Sequence, residues 1–344
     1  MNRVDWELAA HVAKRFSGDY ALAGTYHERR FELQAPDLVA RASEMVSAET
    51  EIELVGAPEV GVISRDEWVA TNIKSFGALL GPLEDKLADK NGVGSSIAAK
   101  IMGAELGAVL GFMSKRVLGQ YELVLPTGGD DRGDTVLFVG ANVLSMERQF
   151  EFRPSSFRFW VALHECAHRA QFTGVPWLRD YFLSLVERLV DSSKPEKGRI
   201  IRVAADLRSA VATGKDPLGD AGLLGLLASP DQREVLDDVQ ALMSLLEGHG
   251  HVVMDRIGKR EIVDTQRMSN VLKARRKDPK TAAFMKLVGI EMKLKQYDAG
   301  AAFIEQVESQ ASWGDLSMAW ESPEALPTLA EIDDASLWLD RMAG

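Results

Sequence analysis

The stretch PSSFRFWVALHECAHRAQFTGVP, residues 154–176, has the limits and the apolar content of one buried helix. Pro154 and the two serines that follow it are typical of a helix N-terminus, and Gly174 with Pro176 ends the pattern. The apolar residues between these limits include Phe157, Trp160, Val161, Leu163, Ala167 and Phe172. The segment is therefore predicted to form a helix that is buried in the protein.

Inside this segment, the sequence HECAH places His164 and His168, two of the six histidines of the chain, four residues apart. In a helix this spacing puts both imidazoles on one face, where they can bind one Zn²⁺ at about 2.0–2.1 Å. Glu165 is next to the first histidine and can reach a water on the metal. The motif predicts zinc ligands at His164 and His168 and a general base at Glu165. The other interpretation is a buried helix whose histidines hydrogen-bond elsewhere.

Two neighbours of the histidines are interpreted separately. Cys166 points away from the face that carries His164 and His168, so it is predicted to be a small core residue and not a ligand. Arg169 departs from the usual pattern of zinc peptidases, in which the position after the second histidine is uncharged.

A catalytic zinc site has a third protein ligand and leaves one position open. Glu187 and Asp191 have the Glu-x-x-x-Asp spacing of thermolysin-like enzymes, but they lie opposite the apolar face of their predicted helix, as solvated residues do. Glu247, in LLEGHGHVVMD at 245–255, interrupts a largely apolar helical run. Because a buried carboxylate needs a partner, and a metal ion is the simplest one, we favour Glu247 over Glu187.

The same segment contains further polar candidates. His251 lies one helical turn after Glu247 and is a candidate as a substitute ligand or an oxyanion donor, and Asp255 is a candidate for orienting a ligand imidazole. His249 points elsewhere on an ideal helix but is also an oxyanion candidate. Tyr297 is a further oxyanion candidate, although such a tyrosine is more often a packed aromatic residue. Gly248 and Gly250 lower helix stability, which indicates close approach by another part of the chain.

The composition limits the class of protein. With 344 residues, 46% hydrophobic and 26% charged, the chain is typical of a soluble globular protein, and a net charge of −11 gives no bulk attraction to nucleic acid or anionic membranes. One cysteine excludes an internal disulfide and a cysteine-based zinc site. The first residues lack an apolar signal core, and the most apolar run, at 101–113, is too short to span a membrane. We therefore expect a cytoplasmic protein, of an oligomeric state that the sequence does not indicate.

The predicted fold class is α+β and predominantly helical. Strand-like runs occur at 51–55, 60–64, 121–126 and 135–139, and the last two flank a polar glycine-rich turn, which predicts a hairpin. Helices do not alternate with parallel strands, so a doubly wound sheet is not expected. Gly103, Gly107 and Gly111 recur every fourth residue and predict close packing of another backbone.

Several blocks together resemble a known family. They are VLGQYELVLP, TVLFVGANV, FWVALHECAHRAQFTGVPWLRD, LLEGHGHVVMD, KLKQYDAGAAFIEQV and the tail WESPEALPTLAEIDDASLWLDRM. The chain resembles, over nearly its whole length, the bacterial zincin-like metallopeptidases labelled as associated with biosynthesis of a deazaflavin coenzyme. The resemblance implies a zincin-like fold, with a HExxH helix beside a small sheet. It also implies that Glu247 is the third ligand and that His249 is a functional residue.

From the motif and the resemblance, we expect one zincin-like catalytic unit over 1–344; the alternative subdivision is a mainly helical part at 1–90 and a metal-binding core at 91–344. The expected activity is zinc-dependent hydrolysis of a peptide or another amide, with the strand in TVLFVGANVL lining the cleft and pairing with an extended peptide. The alternative function is a zinc-stabilised binding or scaffold protein without turnover. The tail tryptophans Trp313, Trp320 and Trp338 are expected to hold the C-terminus on the core, with a substrate platform as the alternative.

Overall fold

The structure is a computed structural model that describes residues 4–18, 20–86, 93–123, 133–191, 230–276 and 292–344. Within these ranges the protein is mainly helical with a small sheet, so the predicted α+β class is confirmed. The chain forms two compact units: Met1–Gly174 with Val253–Met268, and Val175–Val252 with Ser269–Gly344. The single catalytic unit over 1–344, with its subdivision at residue 90, stays a prediction.

The elements up to residue 174 belong to the first unit. They are α1 (Trp6–Ser17), α2 (Tyr26–Thr50), β1 (Glu59–Ile63), α3 (Arg65–Lys86), α4 (Val93–Met113), β2 (Gly119–Leu123), β3 (Asp134–Val139), α5 (Gly140–Phe150) and α6 (Pro154–Gly174). The later elements are α7 (Leu178–Asp191), α8 (Pro230–Glu261), α9 (Thr265–Arg276), α10 (Met292–Gln310), α11 (Leu329–Asp333) and α12 (Ala335–Ala343), with 3-10 helices at Gly314–Trp320 and Pro323–Ala325. The C-terminal part of α8 and the start of α9 belong to the first unit.

The sheet has the order β1-β3-β2, with β3 parallel to β1 and antiparallel to β2. The antiparallel pairing of β2 with β3 agrees with the predicted hairpin, whose residues 124–132 lie outside the described ranges. The expectation that the strand in TVLFVGANVL pairs with an extended peptide is wrong, because β1 and β2 already pair with both edges of β3. That this strand lines the cleft stays a prediction. The edge position beside α6 belongs to β2 instead.

The strand predicted at 51–55 is also wrong. Glu51 adopts a left-handed conformation with φ 58° at the end of α2, and its N–H donates to the Ser47 carbonyl at 2.9 Å. Further along, the carbonyls of Val55 and Gly56 accept hydrogen bonds from the Arg169 side chain. The backbone of this segment therefore serves a helix end and a buried guanidinium, and it forms no ladder with the sheet.

The glycines of α4 pack against α1, as their spacing predicts. A Cβ atom built on Gly111 would lie 2.6 Å from the Cβ of Phe16 and 2.7 Å from the Ala13 carbonyl oxygen. Equivalent atoms on Gly103 and Gly107 would overlap the backbone carbonyls of Asp5 and Ala9. The two helices approach so closely that there is no room for a side chain at these three positions.

Helix α6 begins and ends where the sequence predicts, and it lies in the core of the first unit. It packs against α2, whose buried residues are Phe31, Ala35, Val39, Ala42 and Val46. Between Phe157 and Gln171 every residue of α6 is buried except His164 and His168, which are half-buried. Between Phe157 and Gln171 the helix is therefore covered on nearly all sides, and its two histidines are the accessible residues of that stretch.

Candidate metal centre

The two histidine side chains of α6 face each other through their Nε2 atoms. These atoms lie 3.3 Å apart, and the ring centroids are 4.6 Å apart at an interplanar angle of 79°. The spacing of one helical turn brings the rings together, as predicted from the motif. Two nitrogens at one tetrahedral zinc ion, each at about 2.0–2.1 Å, lie about 3.3–3.4 Å apart. The observed separation fits shared coordination of one ion.

A hydrogen bond at Nδ1 of His168 indicates which nitrogen of that ring carries the proton. Nδ1 of His168 lies 2.9 Å from the side-chain oxygen Oε1 of Gln171. An amide oxygen accepts hydrogen bonds and cannot donate them, so Nδ1 of His168 is the donor in this bond. When the imidazole is neutral, its Nε2 atom then carries a lone pair that points toward His164.

Glu247 belongs to the same candidate group as the two histidines. One ligand atom from each of His164, His168 and Glu247 lies within 4.8 Å of the others, and all three residues are half-buried. Among the described residues, this is the group of histidine, cysteine and acidic side chains that could hold a metal ion. Two imidazoles and a carboxylate are suitable ligands for Zn²⁺ and match the composition of catalytic His₂Glu sites. The donor set therefore fits the predicted metal.

The neighbourhood of Glu247 explains the glycine that follows it. A Cβ atom on Gly248 would lie 2.6 Å from the backbone nitrogen of Ala301 and would overlap Gly300, both in α10. The predicted close approach at Gly248 is confirmed. The rival carboxylate Glu187 is exposed on α7, consistent with the solvated face that its spacing indicates, and it is not part of the metal-binding group.

The predicted general base, Glu165, is buried against the edge strand. Its side chain is 5% exposed, and its Oε2 atom accepts a hydrogen bond from the backbone N–H of Tyr121 at 2.9 Å. A Cβ atom on Gly119 would lie 2.6 Å from Oε1 and 2.7 Å from Cγ of Glu165. Strand β2 thus fixes the carboxylate with one amide and makes room for it with one glycine.

The remaining predicted site residues are not members of the metal-binding group, in so far as the structure describes them. His251 is buried and Asp255 is half-buried, both on α8. Tyr297 lies in α10, but its side chain is outside the described residues.

His249 is 1% exposed and packs in an aromatic cluster formed by the chain's tail. Its ring is parallel to that of Trp313 at 6.0 Å and edge-on to that of Trp320 at 5.1 Å. Trp338 is fully buried, and its Nε1 donates to the Ala325 carbonyl at 2.8 Å. These contacts agree with the expected packing role of the tail tryptophans.

Cys166 and Arg169, which lie close to the histidines on α6, are both buried and contact other residues of the fold. Cys166 is fully buried, with Sγ close to the Val39 carbonyl and the Ser43 hydroxyl, and burial raises the pKa of its thiol to about 12. It is a core residue, as predicted. Arg169 donates from Nε and Nη2 to the Asp134 carboxylate at 2.7–2.9 Å, so the unusual charge after His168 is neutralised inside the protein.

Sequence reasoning missed four residues that shape this region: Gly119, Tyr121, Asp134 and Gln171. Gln171 follows His168 by three residues, a spacing at which helical side chains meet, so the contact between these two residues could be predicted from the sequence. The other three residues act across long separations in the sequence, where no local pattern indicates them.

The protein is mainly helical with a small sheet, and His164, His168 and Glu247 form a group that could hold one metal ion. The chain matches the zincin-like metallopeptidase family over residues 4–339, and it belongs to that family. It is also similar to a crystal structure from Chloroflexus aurantiacus, described as a candidate hydrolase with a novel fold. That similarity has a TM-score of 0.73 and 28% identity and covers 99% of each chain.

No match was found among the curated proteins. Neither similarity refers to a deazaflavin coenzyme. Within the described ranges, no helix combines the length and the apolar character that crossing a membrane requires.

Proposed function

We propose that this chain is a zinc-dependent hydrolase of peptide or amide bonds, with His164, His168 and Glu247 as the metal ligands. The observation that carries the proposal is the 3.3 Å separation of the histidine Nε2 atoms, with Glu247 in the same group within 4.8 Å. Membership of the zincin-like metallopeptidase family supports zinc as the metal and hydrolysis as the reaction.

The reaction needs a Lewis acid and a base. Zinc bound to the three ligands would polarise the substrate carbonyl and lower the pKa of water toward ~7. Glu165 takes a proton from the attacking water, whose oxygen forms a bond to the carbonyl carbon. When the C–N bond breaks, Glu165 passes this proton to the departing amine. The Tyr121 amide, which holds Oε2 of Glu165 at 2.9 Å, keeps the base in one place.

The substrate-binding strand in this proposal is β2 and not β3. Strand β2 is at the edge of the sheet and carries the backbone amide that contacts Glu165. An extended peptide that pairs with this edge would lie beside the proposed base. Hydrolysis of a non-peptide amide uses the same residues and differs only in the shape of the substrate. We further propose that His251, Asp255 or Tyr297 orients a ligand or stabilises the oxyanion, and that His249 has a packing role.

One observation favours the alternative of a zinc-stabilised binding or scaffold protein. Glu165 is buried and hydrogen-bonded to β2, so its carboxylate could serve to attach the strand to α6 without taking part in a reaction. The two functions differ in what happens when the carboxylate is changed to an amide, because an amide oxygen can still accept the Tyr121 hydrogen bond but cannot take up a proton.

The experiment compares wild type, Glu165→Gln and the exposed control Glu187→Gln. Zinc content is measured by elemental analysis, and hydrolysis is measured with a library of internally quenched peptides and amino-acid p-nitroanilides. We expect about one zinc per chain in all three proteins, as one site requires. Loss of general-base catalysis should lower turnover by Glu165→Gln by about a hundredfold or more, while Glu187→Gln keeps it.

Each other outcome excludes part of the proposal. A wild-type protein that binds no zinc contradicts the metal site. Undiminished turnover by Glu165→Gln removes Glu165 as the base. Full zinc occupancy without hydrolysis of any probe by the wild type supports the scaffold function.

A further inference from the structure

Gln171 is a fully buried polar residue in contact with a proposed zinc ligand. Its side chain has 0% exposure, and its Oε1 atom lies 2.9 Å from Nδ1 of His168. The two residues are three apart on α6, so the helix itself brings them together. Burying a side-chain amide costs free energy unless its polar atoms are hydrogen-bonded, and His168 supplies one such partner.

The hydrogen bond determines which nitrogen of His168 faces the histidine pair. Because Oε1 accepts the proton on Nδ1, the neutral ring has its lone pair on Nε2. Nε2 is the atom that lies 3.3 Å from Nε2 of His164. In water a free imidazole exchanges between its two tautomers and rotates about its side-chain bonds, whereas a hydrogen bond from Nδ1 to Oε1 of Gln171 favours one tautomer and one orientation of this ring.

We propose that Gln171 is a positioning residue, which holds His168 with Nδ1 protonated and Nε2 directed at the metal. This inference rests on the proposed function, since it concerns the same zinc site. The partners that orient metal-bound histidines change metal affinity by about ten- to a hundredfold when they are removed. Gln171 supplies this orientation through a neutral oxygen, so it adds no charge to a donor set that already contains Glu247.

The test uses the variants Gln171→Leu, Gln171→Met and Gln171→Glu, with Thr173→Val as a matched control. Thr173 is on the same helix, and its hydroxyl donates to the Arg169 carbonyl at 2.7 Å, so Thr173→Val also removes one polar group from α6. Zinc affinity is measured by competition with a chelator at fixed pH. The tautomer of His168 is read from long-range ¹H–¹⁵N correlations of zinc-free protein labelled at its six histidines.

We expect zinc-free wild type to show His168 protonated at Nδ1. Gln171→Leu and Gln171→Met should lose this single tautomer and bind zinc about ten- to a hundredfold more weakly. Gln171→Glu keeps an oxygen acceptor and should retain the tautomer, and Thr173→Val should match wild type in both tautomer and zinc affinity. Gln171→Met, which is unbranched and close to glutamine in size, serves if the leucine variant fails to fold.

Two results would overturn the inference. One is a zinc-free wild type with His168 protonated at Nε2. The other is a folded leucine or methionine variant with wild-type affinity and tautomer, which would leave Gln171 with a packing role only. Failure of the proposed function is distinguishable, because a wild type that binds no zinc contradicts the metal site while the tautomer of His168 still reports on Gln171.

Discussion

His168 and Arg169 are adjacent on α6, yet they lie in polar clusters of opposite character. Arg169 is surrounded by acceptors: the Asp134 carboxylate and the carbonyls of Val55 and Gly56. His168 lies in a group with His164 and Glu247, whose side chains are electron-pair donors like its own. Opposite charges stabilise each other without a further group, whereas clustered donors are stabilised by a shared cation. The comparison separates a polar cluster that stabilises the fold from one that could hold a metal ion.

The cluster around Arg169 should have the larger effect on stability. The guanidinium is 1% exposed and the Asp134 side chain 25%, so removing the cation leaves a partly buried carboxylate and two carbonyls without their donor. We expect Arg169→Met to lower the free energy of unfolding by about 3 kcal/mol, the low end for a broken buried ion pair, because Asp134 is partly exposed. Urea unfolding of zinc-free protein measures this change.

The control for Arg169→Met is the double variant with Asp134→Asn. Removing the carboxylate charge as well should recover part of the stability, because the remaining cost then comes from the carbonyls alone. If Arg169→Met is as stable as wild type, the contrast between the two clusters is wrong.

A substitution in the proposed metal cluster should change the zinc affinity. Glu247→Ala removes one of three proposed ligands, and we expect it to bind zinc about a hundredfold more weakly, a change of about 2.7 kcal/mol. Glu187→Ala, at an exposed position, should bind zinc like wild type. Chelator competition measures both. The reverse order of affinities would mean that Glu187 is the third ligand.

The parts of this site that could be predicted from the sequence are those with local signals. Pro154 and Gly174 mark the limits of α6, and helical periodicity alone pairs His164 with His168. Glu247 was predictable because a carboxylate interrupts an apolar helical run. Each of these inferences needs only the neighbours in one element.

The parts that could not be predicted depend on long-range contacts. The Arg169 contact with Asp134 joins residues 35 positions apart, and the amide that holds Glu165 comes from Tyr121, 44 positions away. The order of strands is likewise a tertiary property. β3 is the most apolar strand, but its central position follows only from its pairing with β1 on one side and β2 on the other. The run at 51–55 has a strand-like composition, but the end of α2 and the contacts of Arg169 determine its conformation.

Gly119 provides the prediction with the smallest expected effect, because a substitution there displaces the proposed base and does not contact a proposed metal ligand. A Cβ atom there would lie 2.6 Å from Oε1 of Glu165, so the carboxylate must move by roughly half an ångström to restore a normal contact. A misplacement of about 1 Å can cost a hundredfold, so we expect Gly119→Ala to lower turnover by about tenfold and to leave zinc affinity unchanged. The quenched-peptide assay and chelator competition measure the two quantities. Gly61→Ala is the matched control, since its added Cβ would meet a Leu137 methyl group at 3.0 Å on another strand. A crystal structure of Gly119→Ala should show the carboxylate displaced from the Tyr121 amide; wild-type turnover despite that displacement would mean that β2 does not position the base.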